Sequence, residues 1–206
     1  MSLAQIIQDL ETAAVAGDLP LAPRAENIVP GEGSPTAEIL LIGEAPGFHE
    51  SVEHRPFVGV SGKLLRKTLT EAGFPPESVF ISNIIKARPP ENRDPTPEEI
   101  AAYKPFLDRE IDLINPKLIV TLGRFSMAKF LSEVKISQVH GRLHKVVWAG
   151  QNRFILPMYH PAAALRSTQM KTAFISDFEK LPKIMAWLKD QSEIQTFAKI
   201  VKAQLL

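Results

Sequence analysis

AEILLIGEAPGFHESVEHRPFVGVSGKLL, residues Ala37 to Leu65, opens on an apolar run and closes on helical spacing. Between these, from Gly43 to Leu65, stand four glycines, two prolines, three glutamates and Phe57. An apolar strand that feeds a helix through such a loop is the first half of a parallel β-α-β unit. In sheets of that kind, ligands meet the carboxyl ends of the strands. The loop therefore presents groups to a ligand.

Working outward, the same alternation recurs. The N-terminal MSLAQIIQDLETAAVAG has amphipathic helical spacing, and a Pro-rich loop leads from it to a strand at Glu38–Ile42. GKLLRKTLTEAGF reads as a helix stopped by AGFPP. SVFISNIIKA reads as a strand running into RPPENRDPTPEE, and EEIAAYKPFLDREIDLI as the next helix. KLIVTLG is a strand, a helix follows from about Phe125 to Leu131, and HKVVWA and RFILPMY are strands. The loop HPAAALRS and C-terminal helices complete the chain. This order predicts an α/β fold: a three-layer α/β/α domain over residues 1–206, around a mostly parallel sheet of about four strands. Three polar clusters, Glu44–Phe57, Asn83–Arg93 and His160–Arg166, then fall at one edge of that sheet.

Composition narrows the chemistry. With 24 basic and 23 acidic side chains the formal charge is +1, which argues against indiscriminate coating of nucleic acid and leaves room for a local basic groove. The chain has no cysteine, which excludes disulfides, thiol catalysis and thiolate-held clusters together. No apolar run approaches the roughly 20 residues of a membrane helix, and the N-terminus lacks the basic cluster of a signal peptide, so a cytoplasmic protein without membrane contact is expected. The glycine loop fits neither G-x-G-x-x-G nor G-x-x-x-x-G-K-[ST], so dinucleotide and nucleotide-phosphate binding are weakly supported.

Taken in order, GEAPG…RPFVGVSGKLL, SNIIKARPPENRDPTPEEI and YHPAAALR, joined by INPKLIVTLG, resemble the uracil-DNA glycosylase superfamily, its family 4 branch in particular. The likeness runs from Leu19 to the C-terminal helices. It implies a monofunctional DNA-repair hydrolase that flips uracil out of DNA and cuts its N-glycosidic bond to leave an abasic site. Its partner would be uracil-containing DNA, and the enzyme would be a monomer. Two other outcomes stay open: a catalytically silent uracil-DNA binding module, and a glycosylase of the same fold that prefers hypoxanthine or xanthine.

The resemblance also assigns roles. Phe57, which read alone is an ordinary core phenylalanine, matches the ring on which the flipped base stacks. Asn83, otherwise a strand-end residue, matches the amide that reads uracil, since an amide both donates and accepts. Ala45 and Gly47 would line the same base pocket. His160 matches the histidine that contacts uracil O2 and steadies the charge developing there. His49, His54, His140 and His144 are read as structural or solvated. Glu50 would position water, as against an exposed loop glutamate, while Glu44 would hydrogen-bond the loop backbone and shape the pocket. Arg55, Ser61, Lys86, Arg88, Asn92, Arg93 and Arg166 would grip DNA, and Leu165 would fill the gap left by the flipped base. Family 4 members usually carry a 4Fe-4S cluster on four cysteines. Here those positions fall on Ala16, Leu19, Ala87 and Tyr103, so no metal and no cofactor is expected.

Overall fold

The computed structural model describes residues 2–191. Chain order gives helix α1 (Leu3–Ala16), strands β1 (Glu32–Gly33) and β2 (Ile39–Gly43), helices α2 (Phe48–Glu53) and α3 (Val60–Glu71), and strand β3 (Phe80–Asn83). Next come α4 (Pro97–Ile114), β4 (Leu118–Leu122), α5 (Arg124–Ala128), α6 (Ile136–Val139), β5 (His144–Trp148), β6 (Gln151–Met158), α7 (Pro161–Ala164) and α8 (Thr168–Phe178). A further helical stretch occupies 181–191, and what the sequence predicts beyond it, or for Met1, lies outside the described residues.

Local chemistry sets the ends of the helices. Ser2 caps α1 by accepting the Gln5 N–H, and Gly17 closes that helix with φ 83°, a left-handed conformation that glycine adopts without steric cost. At α4, Thr96 and Glu99 exchange side-chain-to-backbone hydrogen bonds ahead of Pro97, and Asn115 ends the helix in the left-handed region.

The strands form one six-stranded sheet in the order β1-β3-β2-β4-β6-β5. Pairings β2–β3, β2–β4 and β4–β6 are parallel, while β1 and β5 add antiparallel edges. The sequence predicts a sheet of about four strands and the sheet has six, because the antiparallel edges β1 and β5 flank the four parallel strands. β1 has two residues and carries no periodic signal. The strand read over 78–87 stops at Asn83, although the loop beyond still pairs with its neighbour through Ile84 N–H to Gly43 O and Ile85 N–H to Glu44 O.

Alternate residues of β2 face opposite layers, as the two-residue strand period requires. Leu40 and Ile42 join a core with Ile6 and Leu10 of α1 and Leu107 and Ile111 of α4. Ile39 and Leu41 join a second core with Leu65 and Leu69 of α3 and Phe174 and Phe178 of α8. The two cores clamp the sheet between helical layers. The register pairs Gly43 with Asn83 and Leu122 with Met158, so the four parallel strands end at nearly one level. Because β2 has β3 on one side and β4 on the other, the chain reverses direction across the sheet here, and a crevice opens at those ends.

Candidate active site

The crevice is a pocket of about 640 Å³. Of the residues singled out in the sequence, Glu44, Ala45, Gly47, Glu50, Phe57, Ser61, Asn83, Asn92, Arg93, His160 and Arg166 line it.

Its floor depends on two close approaches. A Cβ on Gly43 would lie 2.4 Å from both Asn83 Oδ1 and Phe57 Cζ, so the end of β2 must be glycine for these groups to meet over it. A Cβ on Gly62 would lie 2.1 Å from the Phe57 carbonyl, so α3 also needs glycine where the loop crosses it. Phe57 itself is buried and has φ 55°, a conformation that bulky residues hold only under restraint. The restraints are visible on both sides. Arg66 donates from Nε to Phe57 O at 2.9 Å and from a terminal nitrogen to Pro56 O at 2.8 Å, while Glu50 Oε1 accepts the N–H groups of Val58 at 3.1 Å and Gly59 at 2.9 Å.

Glu50 thus spends its oxygens on the loop backbone. Its Oε2 accepts the Gly47 N–H at 3.2 Å, and the side chain is buried. Glu44 differs: among the described residues no hydrogen bond reaches its carboxylate. Burial first, and then the nearby negative charge of Asp94, push its pKa up, against a smaller pull from Arg124. The backbone hydrogen bonds expected of Glu44 are thus made by Glu50 of α2, while both carboxylates line the pocket.

Asn83 is almost fully buried, and its Oδ1 has no hydrogen-bond partner among the described residues. A buried amide oxygen left without a donor costs about 1–3 kcal/mol. His160 caps α7: its Nδ1 accepts the Ala162 N–H at 3.2 Å. An imidazole nitrogen that accepts carries no proton, so the neutral ring holds its proton on Nε2 and offers that N–H as a donor. Burial lowers the His160 pKa to about 4, with Glu50 opposing the shift and Arg166 adding to it, so the ring is neutral at pH 7.

Four expected residues stand outside the lining. Lys86 is fully buried and paired with Glu110 Oε2 at 2.7 Å, which also accepts from Ser82 at 2.7 Å; this lysine is a core ion-pair member and not a DNA contact. Its neighbour Asn83 is turned to the pocket. Arg55 is exposed and tied to Glu32 at 2.6 Å, in a second groove with Arg66 and Glu77. Arg88 lies outside, donating from Nε to Asn92 Oδ1 at 2.8 Å, and Leu165 is exposed next to Arg166. Arg93, within the lining, is held by Glu99 through two hydrogen bonds of 2.9 and 2.6 Å. Of the remaining histidines, His140 is paired with Asp177 at 2.7 Å, and His49 and His54 are exposed.

Sequence reading missed Asp94 and Arg124, an ion pair that faces Glu44, and also Tyr159 and Met170. Arg124 follows β4 directly, so the rule that polar groups gather where parallel strands end would have found it. Met170 had no such signal.

The four positions where family 4 cysteines would stand do not fit an iron–sulfur cluster. Leu19, Ala87 and Tyr103 are buried in one core, and the Tyr103 hydroxyl donates to Pro20 O at 2.7 Å, while Ala16 is exposed at the end of α1. None of the four offers a thiolate. Among the described residues there is no group of three or more His, Asp or Glu side chains that could hold a metal ion. Nor is any described helix long and apolar enough to cross a membrane.

Comparison with known proteins adds to this geometry. Residues 30–188 match the family model for the uracil DNA glycosylase superfamily. A type-4 uracil-DNA glycosylase of Sulfurisphaera tokodaii is 45% identical over 164 residues, which cover 77% of this chain and 74% of that one. Proteins of the same description from Saccharolobus solfataricus and Archaeoglobus fulgidus are each 42% identical, covering 78% and 77% of this chain and 77% and 82% of their own. With its parallel sheet and loop-built pocket inside the matched span, the chain belongs to the uracil DNA glycosylase superfamily.

Proposed function

We propose that this protein is a uracil-DNA glycosylase, which takes uracil out of the DNA stack and hydrolyses its N-glycosidic bond. The observation that carries the reading is the orphaned Oδ1 of Asn83 beside the Phe57 ring. Uracil brings an N3–H donor for that oxygen and an O4 acceptor for the amide nitrogen, and its flat face stacks on Phe57. Cytosine has no proton on N3 and a donor at N4, so it mismatches both atoms of the amide.

In the reaction, the C1′–N1 bond breaks with its electron pair passing to uracil, and positive charge grows on the sugar. The His160 Nε2–H strengthens its hydrogen bond to O2 as negative charge gathers there, which favours the transition state over the bound substrate. Glu44, whose carboxylate takes no hydrogen bond among the described residues, orients the water that adds to C1′ and takes its proton. Glu50 keeps the loop and Phe57 in place. No lysine lines the pocket among the described residues, so no amine is present to trap the sugar, and the strand should be left intact. Arg93, Arg166, Ser61 and Asn92 hold the flanking phosphates. We propose further that the enzyme is a cytoplasmic monomer of one domain and works without a cluster.

The test is a labelled oligonucleotide with a single uracil. Uracil release with strand scission only after alkali supports the reading. Tight retention of the uracil strand with no abasic product would instead make the protein a binding module.

A further inference from the structure

Phe48 takes no part in the excision chemistry. It directly follows Gly47 of the pocket lining, begins α2, and is 56% exposed. The His49 ring meets it edge-on at 5.6 Å, and the Arg88 guanidinium carbon lies over it, 5.2 Å from the ring centroid. Arg88 is in turn anchored by its hydrogen bond to Asn92, which lines the pocket. An aromatic face and a cation are thus held together at the pocket lip. The nearby exposed hydrophobics Val52 and Val60 offer no flat face of this kind.

A ring with a guanidinium beside it suits a ligand that is flat and negatively charged at once. A nucleotide is such a ligand: its base stacks on the ring, and its phosphate accepts the N–H groups that Arg88 has left. We propose that Phe48 and Arg88 form a subsite for the nucleotide adjacent to the excised one, on the same strand. The proposal rests on the uracil-DNA reading and adds a specificity element to it. In a duplex the adjacent base is already stacked and paired, so the subsite is engaged most fully on single strands or unpaired regions.

The experiment uses single-stranded oligonucleotides with a central uracil, carrying either normal flanks or an abasic spacer on one side or the other, with wild type, Phe48→Ala and Phe48→Trp. Phe48→Ala should raise KM on the strand with both flanking bases by roughly five- to hundredfold, the range stacking on one base commands. A spacer on the engaged side should raise the wild-type KM to a similar degree yet add little to Phe48→Ala, and Phe48→Trp should restore binding. An unchanged KM for Phe48→Ala, or spacer and mutation effects that simply multiply on both sides, overturns the subsite. Should wild type release no uracil, the glycosylase reading fails by itself; fluorescence-anisotropy titration of the same strands then gives the same mutation-and-spacer comparison in Kd.

Discussion

The rings of Phe57 and His160 stand 5.8 Å apart, centroid to centroid, and are inclined by 35°. A planar base held between two parallel rings needs about 7 Å, twice the usual carbon contact distance. Rings at this spacing leave no room for a base sandwiched between them, which is compatible with the roles proposed above, Phe57 at the face of the base and His160 at its edge. His160→Ala should lower single-turnover uracil release by roughly 10²–10³-fold, the cost of losing one preorganised donor, with a much smaller change in DNA affinity. Equal losses in rate and affinity would assign His160 to binding alone.

The low pKa of His160 also sets a pH dependence of stability. Its folded value is about 4, and the unfolded value is near 6.5, so between these limits the unfolded chain binds the extra proton. Stability from this group is complete above pH 6.5, falls as pH drops, on the order of 1.4 kcal/mol per unit, and levels off below 4. Urea midpoints of wild type and His160→Asn from pH 4 to 7 measure it. The difference between the two proteins should change across that window, and a constant difference would refute the assignment.

Asn83→Asp keeps the shape of the side chain and replaces its donor by an acceptor. Uracil release should collapse, with a mismatch of about 1–3 kcal/mol and no loss of fold by circular dichroism. Gly43→Ala should do the same by a different route, because its methyl would fill the space shared by Asn83 and Phe57. Wild-type rates in either folded variant would mean that the base is read elsewhere.

Glu44 and Glu50 should separate cleanly. Glu44→Gln should leave the melting temperature near wild type and lower the single-turnover rate; it should also remove an acid limb lying above the usual carboxylate range, since burial and Asp94 raise the Glu44 pKa. Glu50→Gln turns an amide donor toward backbone N–H groups, and should cost about 1–3 kcal/mol of stability. The reverse outcome would return the water-positioning role to Glu50.

Salt and stability distinguish Lys86 from the surface cations. Lys86→Met leaves Glu110 charged and buried without its partner, at about 3–5 kcal/mol, and Lys86→Met with Glu110→Leu should recover much of it. Neither change should alter the salt dependence of DNA binding. Arg166→Ala should reduce that slope by about one unit. A reduced slope in the Lys86 double variant would place this lysine at the DNA after all.

The parallel strands and the flanking helices were legible because apolar runs and helical spacing in this chain are long and cleanly punctuated. Phe57, Asn83 and His160 were legible through the motifs around them, and they meet in one pocket. Periodicity could not reveal the fate of Lys86: it lies in a basic-looking run, KAR, and only the turn after Asn83 sends it into the core beside Glu110. Nor could sequence say which carboxylate bonds the loop backbone, since that depends on where α2 places Glu50. Phe48 went unnoticed as a surface because exposure is a tertiary property.

The hydrogen bond from Tyr103 to Pro20 joins α4 to the segment after α1 across 83 positions of sequence. In a protein whose equivalent tie is a metal cluster, folding waits on the delivery of iron and sulfide, and oxidants can undo the tie. Here the join forms from groups already on the chain, with no thiol to oxidise at any of the four positions. This region can thus close as soon as α4 docks, whatever the supply of iron or the oxygen tension around it.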